Sequence, residues 1–198
     1  IRDKSIQKDK LRFRHNLERI GELLAYEMSK TLHYKEKTVE TVLGKHQKTV
    51  ISDHLVICSI LRAGLPMHSG VGRIFDHVNH SFISAYRTHN KEKDTFDIHI
   101  EYCATSDLTS KTLILVDPML ATGHSIAEVY KFLSQKFDIS SLVILSAIAA
   151  KPGIQYLEEH LPKSTQIWIA DIDESLNEKG YIVPGLGDAG DLAFGSKL

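Results

Sequence analysis

Four nearly uninterrupted aliphatic runs constrain the fold of this chain more than any other feature. They cover residues 55–61, 111–116, 141–149 and 165–170. A strand with one solvated face alternates apolar and polar residues, whereas a strand covered on both faces is apolar throughout. Amphipathic segments lie between these runs, so the order indicates an α/β domain whose parallel sheet is built from right-handed crossover units.

The remaining segments are predicted from their periodicity. Helices are predicted at residues 11–32, 67–75, 125–137 and 154–160, and a further short strand at 81–86. In the first helix Leu17, Ile20 and Leu24 recur at three- and four-residue intervals, which gives it one apolar face. Residues 38–50, broken by Gly44, carry a weak strand or hairpin pattern, and polar residues 90–94 predict a mobile loop.

Composition excludes several classes of protein. The 198 residues include 24 Lys and Arg and 25 Asp and Glu. The resulting net charge of −1 does not give the positive electrostatic field that non-specific nucleic-acid binding requires. The apolar run at 141–150 has about half the length of a membrane span. The segment that begins at Ile1 is charged and shows no signal peptide, and Cys58 and Cys103 are predicted to be reduced thiols of a cytoplasmic protein.

The stretch Leu113–Ser125 carries the most chemical information. An apolar strand ends at Asp117, a short loop of small and hydroxyl residues follows, and an amphipathic helix then begins. Amides of residues 121–125, together with the helix dipole and the Thr122 hydroxyl, form an anion cradle. Asp117 repels phosphate but accepts hydrogen bonds from sugar hydroxyls, which favours a sugar phosphate. The alternative is that Asp117 and Thr122 only cap the turn and the helix.

Other ligand motifs fit less well. The chain has no P-loop and no G-x-G-x-x-G after a strand. A calcium loop is rejected because its sixth position is Leu176 and its twelfth is Ile182. A zinc site at His77 and His80 is rejected because no third ligand is evident. The tail from Gly180 carries five of the 12 glycines and is predicted to be neither helix nor strand.

Several motifs resemble one family in the family's own order. The stretch Val116-Asp117-Pro118-Met119-Leu120-Ala121-Thr122-Gly123 resembles the phosphoribosyl-pyrophosphate (PRPP) loop of type I phosphoribosyltransferases, and most closely the uracil phosphoribosyltransferases among them. Further similar motifs are Leu23–Glu27, Ile60–Leu65, Tyr86-Arg87, Leu176–Glu178 and Gly180–Asp191. The chain departs from the family at His124, where a second glycine is usual, in the amino-acid sequence of residues 90–102, and at Leu192, where arginine is usual.

The resemblance implies a fold and an activity. The expected fold is a single phosphoribosyltransferase domain over residues 1–198, with a twisted parallel sheet flanked by helices. A hood is expected from about residues 1–35 and 171–198, and a variable hairpin from about 88–110. The implied reaction transfers the phosphoribosyl group of PRPP, as its Mg²⁺ complex, to uracil, giving UMP and pyrophosphate in pyrimidine salvage.

The resemblance also implies a role for each site residue. The catalytic residues are Arg62, Arg87, Asp117 and Asp188. PRPP is bound by these four together with Pro118, Met119, Leu120, Ala121, Thr122, Gly123, His124 and Ser125. Uracil is bound by Ile182, Gly187, Asp188 and Ala189. Mg²⁺ is held mainly through PRPP, with a link through water to Asp188, and whether Asp188 also acts as a base is left open.

The implied partners are uracil, PRPP and further copies of the chain in a homodimer or higher homo-oligomer, with no membrane and no nucleic acid. Activation by GTP is not readable from these residues. Two alternatives stay open. One is a transferase for another nucleobase, and the other is a regulatory protein of the same fold that binds UMP or RNA.

Overall fold

The computed structural model describes the main chain of residues 1–90 and 95–196 and the side chains of residues 1–85 and 99–196. The strands are β1 (Tyr34–Thr41), β2 (Gly44–Ile51), β3 (Leu55–Leu61), β4 (Asn79–Asn90), β5 (Thr95–Ala104), β6 (Thr112–Val116), β7 (Met119–Leu120), β8 (Ser141–Ala150), β9 (Gln166–Asp173), β10 (Ser175–Leu176) and β11 (Ile182–Val183). The helices are α1 (Lys10–Ser29), α2 (Leu65–Gly72), α3 (His124–Ser134), α4 (Lys151–His160) and α5 (Ala189–Phe194). Beyond Asn90, the predicted mobile loop at 90–94 lies outside the described residues.

A central, mostly parallel sheet organises the molecule. Its strand order is β5-β4-β3-β6-β8-β7, and β9 also pairs with β8. Strands β3, β4, β6, β8 and β9 run parallel to one another, whereas β5 is antiparallel to β4. The prediction of a parallel sheet is therefore confirmed. The carboxyl ends of β3 and β6 lie side by side, which is where open α/β sheets bind ligands.

Both faces of the sheet are covered at β3, β6 and β8, as their continuous apolar runs predict. The run at 165–170 is the exception, because β9 is only half-buried in its first half and largely exposed beyond it. Ile57 and Ile114 belong to a buried cluster shared with α1 and α2, while Val56 and Leu113 belong to a second cluster shared with α3 and α4. Successive side chains of a strand point to opposite faces, so each run supplies both clusters. Among the described helices, none is long and apolar enough to cross a bilayer.

The β1–β2 hairpin is longer than its weak sequence pattern indicates. The two strands pair from Tyr34 with Ile51 to Thr41 with Gly44. Most of its side chains are exposed, which is why apolar periodicity defines its ends poorly. At its tip Val42 and Leu43 are 101% and 98% exposed.

The C-terminal segment corrects one expectation. It was predicted to be neither helix nor strand, yet it forms β11 and α5. Asp188 caps α5 by accepting a hydrogen bond from the Asp191 amide at 3.0 Å, and Ala189 and Ala193 are buried in the core. Arg14 of α1 donates to the Ala193 carbonyl at 2.7 Å, which joins the first helix to the tail.

A buried histidine on α2 makes stability depend on pH. His68 is 5% exposed, its Nε2 lies 2.8 Å from His80 Nδ1, and its ring packs on Phe82. Burial first, and His80 second, lower the pKa of His68 to about 4. Below pH ~6.5 the unfolded chain therefore takes up a proton that the folded chain refuses, so stability falls between pH ~6.5 and about 4.

We expect the free energy of unfolding to fall by about 1–2 kcal/mol more in the parent protein than in His68→Gln when pH drops from 7.5 to 5. Glutamine keeps a polar group at this position but does not titrate. Urea unfolding at the two pH values measures the difference. His46→Gln, on the exposed hairpin, is the control and should behave like the parent. An equal decline in His68→Gln and the parent would exclude His68 as the source.

Candidate active site

The predicted anion cradle lies at the carboxyl end of β6. The chain leaves this strand at Val116, forms β7 beside the end of β8, and turns into α3 through Gly123. Gly123 has a φ of +80°, a conformation that side chains with a Cβ rarely adopt. Because the loop follows the carboxyl end of β6, it lies at the end of the sheet where open α/β folds bind ligands.

The first turn of α3 brings main-chain amides to the predicted cradle. The first main-chain bond of this helix runs from the Ala127 amide to the Gly123 carbonyl at 3.1 Å, so the amides of Ser125 and Ile126 have no acceptor within the helix. The amide of Ala121, one of the expected donors, instead bonds to the Met119 carbonyl at 3.1 Å. An anion at this end of the helix would meet the amides of Ser125 and Ile126 together with the positive potential of the macrodipole.

Asp117 shapes the loop as well as lining the cleft. Its Oδ1 accepts a hydrogen bond from the Met119 amide at 3.2 Å, which turns the chain away from β6. Its side chain is partly exposed to the cleft. The capping role that sequence reasoning held as an alternative therefore exists, and it leaves the carboxylate facing the place where a ligand would sit.

Two residues that sequence reasoning missed support the loop from behind. Ser146 of β8 is fully buried; its hydroxyl accepts from the Leu120 amide at 3.2 Å and donates to the Ile148 carbonyl at 3.0 Å. Gly153 of α4 lies so close to the loop that an added Cβ would overlap the Ala121 carbonyl oxygen. Ser146 within an apolar strand is the signal that could have been noticed.

His124 belongs to a column of three rings. It stacks on Tyr156 with ring centroids 4.1 Å apart, and Tyr156 stacks on His160 at 3.9 Å. The side chain that departs from the family pattern therefore packs along α4 and does not disturb the turn at Gly123.

A second loop, which follows β3, carries Arg62. Its Nη2 donates to the Gly195 carbonyl at 3.0 Å and lies 3.5 Å from Asp191 Oδ1. The guanidinium is 41% exposed, so it remains accessible from the cleft. Gly64 packs this loop against the end of β6, because a Cβ there would lie 2.8 Å from the Val116 carbonyl oxygen.

The tail supplies the third wall. Gly187, Asp188 and Ala189 line the same cleft as Arg62 and Asp117, and the cleft has a volume of about 540 Å³. Met119, Ala121 and Ser125 of the first loop also line it. Thr122 and Gly123 line an adjoining hollow of about 30 Å³ within the loop.

Three other predicted site residues, Ile182, Leu120 and Pro118, do not line this cleft, although Leu120 lines the adjoining hollow. The side chain of Ile182 is 4% exposed and packs in the core, so only its main chain is available to a ligand. Leu120 is also buried, and its amide is used by Ser146. Pro118 pairs through its carbonyl with the Ile148 amide. The side chain of Arg87 lies outside the described residues.

The residues present suit a metal brought in by the substrate. Within the described part of the chain, no group of three or more His, Cys, Asp or Glu side chains is placed to hold a metal ion. Asp117 and Asp188 nevertheless face one cleft, and one or two carboxylates plus substrate phosphates are a common Mg²⁺ environment. Asp171 and Asp173, which belong to the rejected calcium-loop pattern, form ion pairs with Arg2.

The fold and the cleft together define a phosphoribosyltransferase-like protein of the α/β class. A family model described as uracil phosphoribosyltransferase matches residues 1–196. The chain belongs to the uracil phosphoribosyltransferase family.

Individual relatives agree with this assignment. A uracil phosphoribosyltransferase of Porphyromonas gingivalis is 50% identical over 198 residues, covering 100% of this chain and 91% of the relative. One of Thermococcus gammatolerans is 38% identical, covering 100% and 87%. Among solved structures, the AQ2163 protein of Aquifex aeolicus matches with a TM-score of 0.85 and 31% identity, covering 96% of this chain and 90% of the other. A hypoxanthine phosphoribosyltransferase of Staphylococcus aureus (TM-score 0.54, 14% identity, 82% and 76% covered) shares the fold.

Proposed function

We propose that this protein transfers the phosphoribosyl group of PRPP to uracil, giving UMP and pyrophosphate. One observation carries the proposal above all: the anion cradle, Arg62 and the Gly187–Ala189 segment converge on one cleft. The relatives named as uracil phosphoribosyltransferases support the choice of base.

Each wall of the cleft takes one part of the reaction. The amides at the start of α3 hold the 5′-phosphate, and Asp117 accepts hydrogen bonds from the ribose hydroxyls. Arg62, together with Arg87, takes the pyrophosphate, because a planar guanidinium matches phosphate oxygens. Main-chain groups of Ile182 and of Gly187–Ala189 face the uracil edge, which offers two acceptors and one donor.

The chemical step exchanges one bond for another. The C–O bond from the anomeric carbon to pyrophosphate breaks with oxocarbenium-like charge, and uracil nitrogen forms the new C–N bond from the opposite face. The ring proton leaves to water or to Asp188. Catalysis rests on positioning and charge stabilisation. Bound with PRPP, Mg²⁺ would neutralise pyrophosphate charge, with Asp117 and Asp188 as the carboxylates near it.

The test is turnover of labelled uracil with PRPP and Mg²⁺. We expect UMP and pyrophosphate in equal amounts, and no UMP across varied ionic conditions would contradict the proposal. Hypoxanthine, guanine and cytosine in parallel reactions separate it from a transferase for another base. A gel shift with pyrimidine-operon leader RNA tests the regulatory alternative, which predicts RNA binding without turnover.

We further propose that residues 1–198 act as one phosphoribosyltransferase domain in the cytoplasm, as a homodimer or higher oligomer. The adjacent side chains of Val42 and Leu43 are fully exposed, and burying them against a second copy would remove apolar surface from water, which favours association. Sedimentation of the parent and of a Val42→Ser, Leu43→Ser variant tests this. A monomeric parent would contradict it.

A further inference from the structure

The loop that precedes the proposed base-binding residues is tied down by groups far away in the chain. The Gly185 amide donates to Asp173 Oδ2 at 3.1 Å, and the Gly185 carbonyl accepts from Arg2 Nη1 at 3.1 Å. The Leu186 carbonyl accepts from Gln7 Nε2 at 3.0 Å. Three main-chain polar groups of Gly185 and Leu186 are therefore held by side chains, immediately before Gly187.

We call Arg2, Asp173 and Gln7 the clamp, and Arg2 and Asp173 make its central contact. Arg2 Nη1 donates to Asp173 Oδ2 at 2.8 Å, so one carboxylate oxygen joins the arginine and the Gly185 amide. Asp173 is 8% exposed and pairs with Ala150 in the central sheet, so it is a fixed point. A charge-assisted bond in such a setting is stronger and better directed than a neutral bond.

A second carboxylate provides an internal comparison. Asp171 accepts from the same guanidinium, at Nη2, with a distance of 2.9 Å. Its side chain is 64% exposed, against 9% for Asp173. Exposed ion pairs contribute little. Asp171 Oδ1 accepts from the adjacent Ile172 amide at 3.0 Å, and among the described contacts this side chain does not bond to Gly185 or Leu186. It therefore neutralises Arg2 without holding the loop.

The loop needs such support because its main chain is unusually free. Gly185 and Gly187 have φ values of +58° and +98°, and glycine loses more conformational entropy on ordering than any other residue. A base read by main-chain groups requires those groups to be fixed before it arrives, or binding must supply the ordering free energy.

We propose that Arg2 and Asp173 are positioning residues for the nucleobase, acting through the main chain of Gly185 and Leu186 on Gly187–Ala189. The inference rests on the proposed function and adds to it a contribution from the first residues of the chain. Neither side chain touches the base. Apart from Arg87 of β4 and Asp188, the residues proposed for PRPP come from the loops after β3 and β6 and from the start of α3, so the clamp should affect uracil more than PRPP.

The test is steady-state kinetics of Arg2→Ala, Arg2→Lys, Gln7→Ala and Asp173→Asn. In Arg2→Ala and Asp173→Asn we expect KM for uracil to rise about tenfold, consistent with the loss of a charged hydrogen bond. KM for PRPP should change less than about threefold. Arg2→Lys should raise KM for uracil less than Arg2→Ala does. Gln7→Ala should also raise KM for uracil, by a smaller factor.

Asp171→Asn is the matched control and should keep the parent KM for uracil. Equal increases in both KM values, or a fall in melting temperature with unchanged KM for uracil, would overturn the inference. If Asp173→Asn fails to fold, Arg2→Lys and Gln7→Ala still decide. A parent protein that makes no UMP would contradict the proposed function itself. If the parent is active but the variants change KM for uracil and KM for PRPP equally, only the positioning role of Arg2 and Asp173 is contradicted.

Discussion

Replacing Asp117 by asparagine is expected to lower kcat/KM for PRPP at least about tenfold. The side chain caps the loop through the Met119 amide and lines the cleft. Asparagine retains an oxygen for the cap but loses the charge that ribose hydroxyls and developing positive charge would meet. A hydrogen bond to a charged group contributes about 1.5–3 kcal/mol, which corresponds to roughly 10- to 150-fold in rate.

Initial rates at varied PRPP measure the Asp117 effect, and the melting temperature should stay close to that of the parent. Asp138→Asn, an exposed carboxylate in the turn before β8, is the control and should leave the kinetics unchanged. Full activity in Asp117→Asn would mean that this carboxylate serves only the turn.

Gly153→Ala is expected to have the largest effect, about 100-fold on kcat/KM for PRPP. Residue 153 lies on α4, outside the cradle, yet a Cβ there would overlap the Ala121 carbonyl oxygen and lie 2.7 Å from Leu120 Cδ2. The loop must move to accommodate it, and a displacement of about 1 Å at a site that acts by positioning costs on the order of 100-fold. Overpacking should also cost about 1–3 kcal/mol of stability.

Gln155→Ala is the matched control for this variant, because it introduces the same residue on an exposed position of the same helix. Circular dichroism establishes that Gly153→Ala is folded at the assay temperature. If the folded variant binds PRPP as the parent does, α4 does not set the position of the cradle.

Local sequence patterns predict the sheet and the turn between β6 and α3 well. Three of the aliphatic runs become β3, β6 and β8, because a doubly covered strand needs apolar residues on both faces. The fourth becomes β9, which is apolar in its first half but is not fully covered. Asp117 after β6 and Gly123 before α3 indicate the turn between these elements. Asp117 accepts a hydrogen bond from a main-chain amide of the turn, and Gly123 adopts a positive φ. Helix ends are predicted less well: α1 ends at Ser29, before the predicted residue 32.

Features that depend on long-range packing escape a sequence-based argument. Arg2 and Asp173 are 171 residues apart, and nothing local indicates that they meet. Gly153 resembles an ordinary weak helix position until Ala121 is placed beside it. α5 was missed because its glycine content opposes a helix, while the cap at Asp188 and burial against the core favour one.

A crystal structure of the protein with bound UMP tests the central claim most directly, because this one molecule carries both the phosphate and the base. We expect its phosphate oxygens within hydrogen-bond distance of the amides at the start of α3, the ribose hydroxyls at Asp117, and the uracil ring against Gly187–Ala189. A phosphate bound away from the 117–126 loop, or a base bound away from the tail, would contradict the assignment of this cleft as the phosphoribosyl-transfer site.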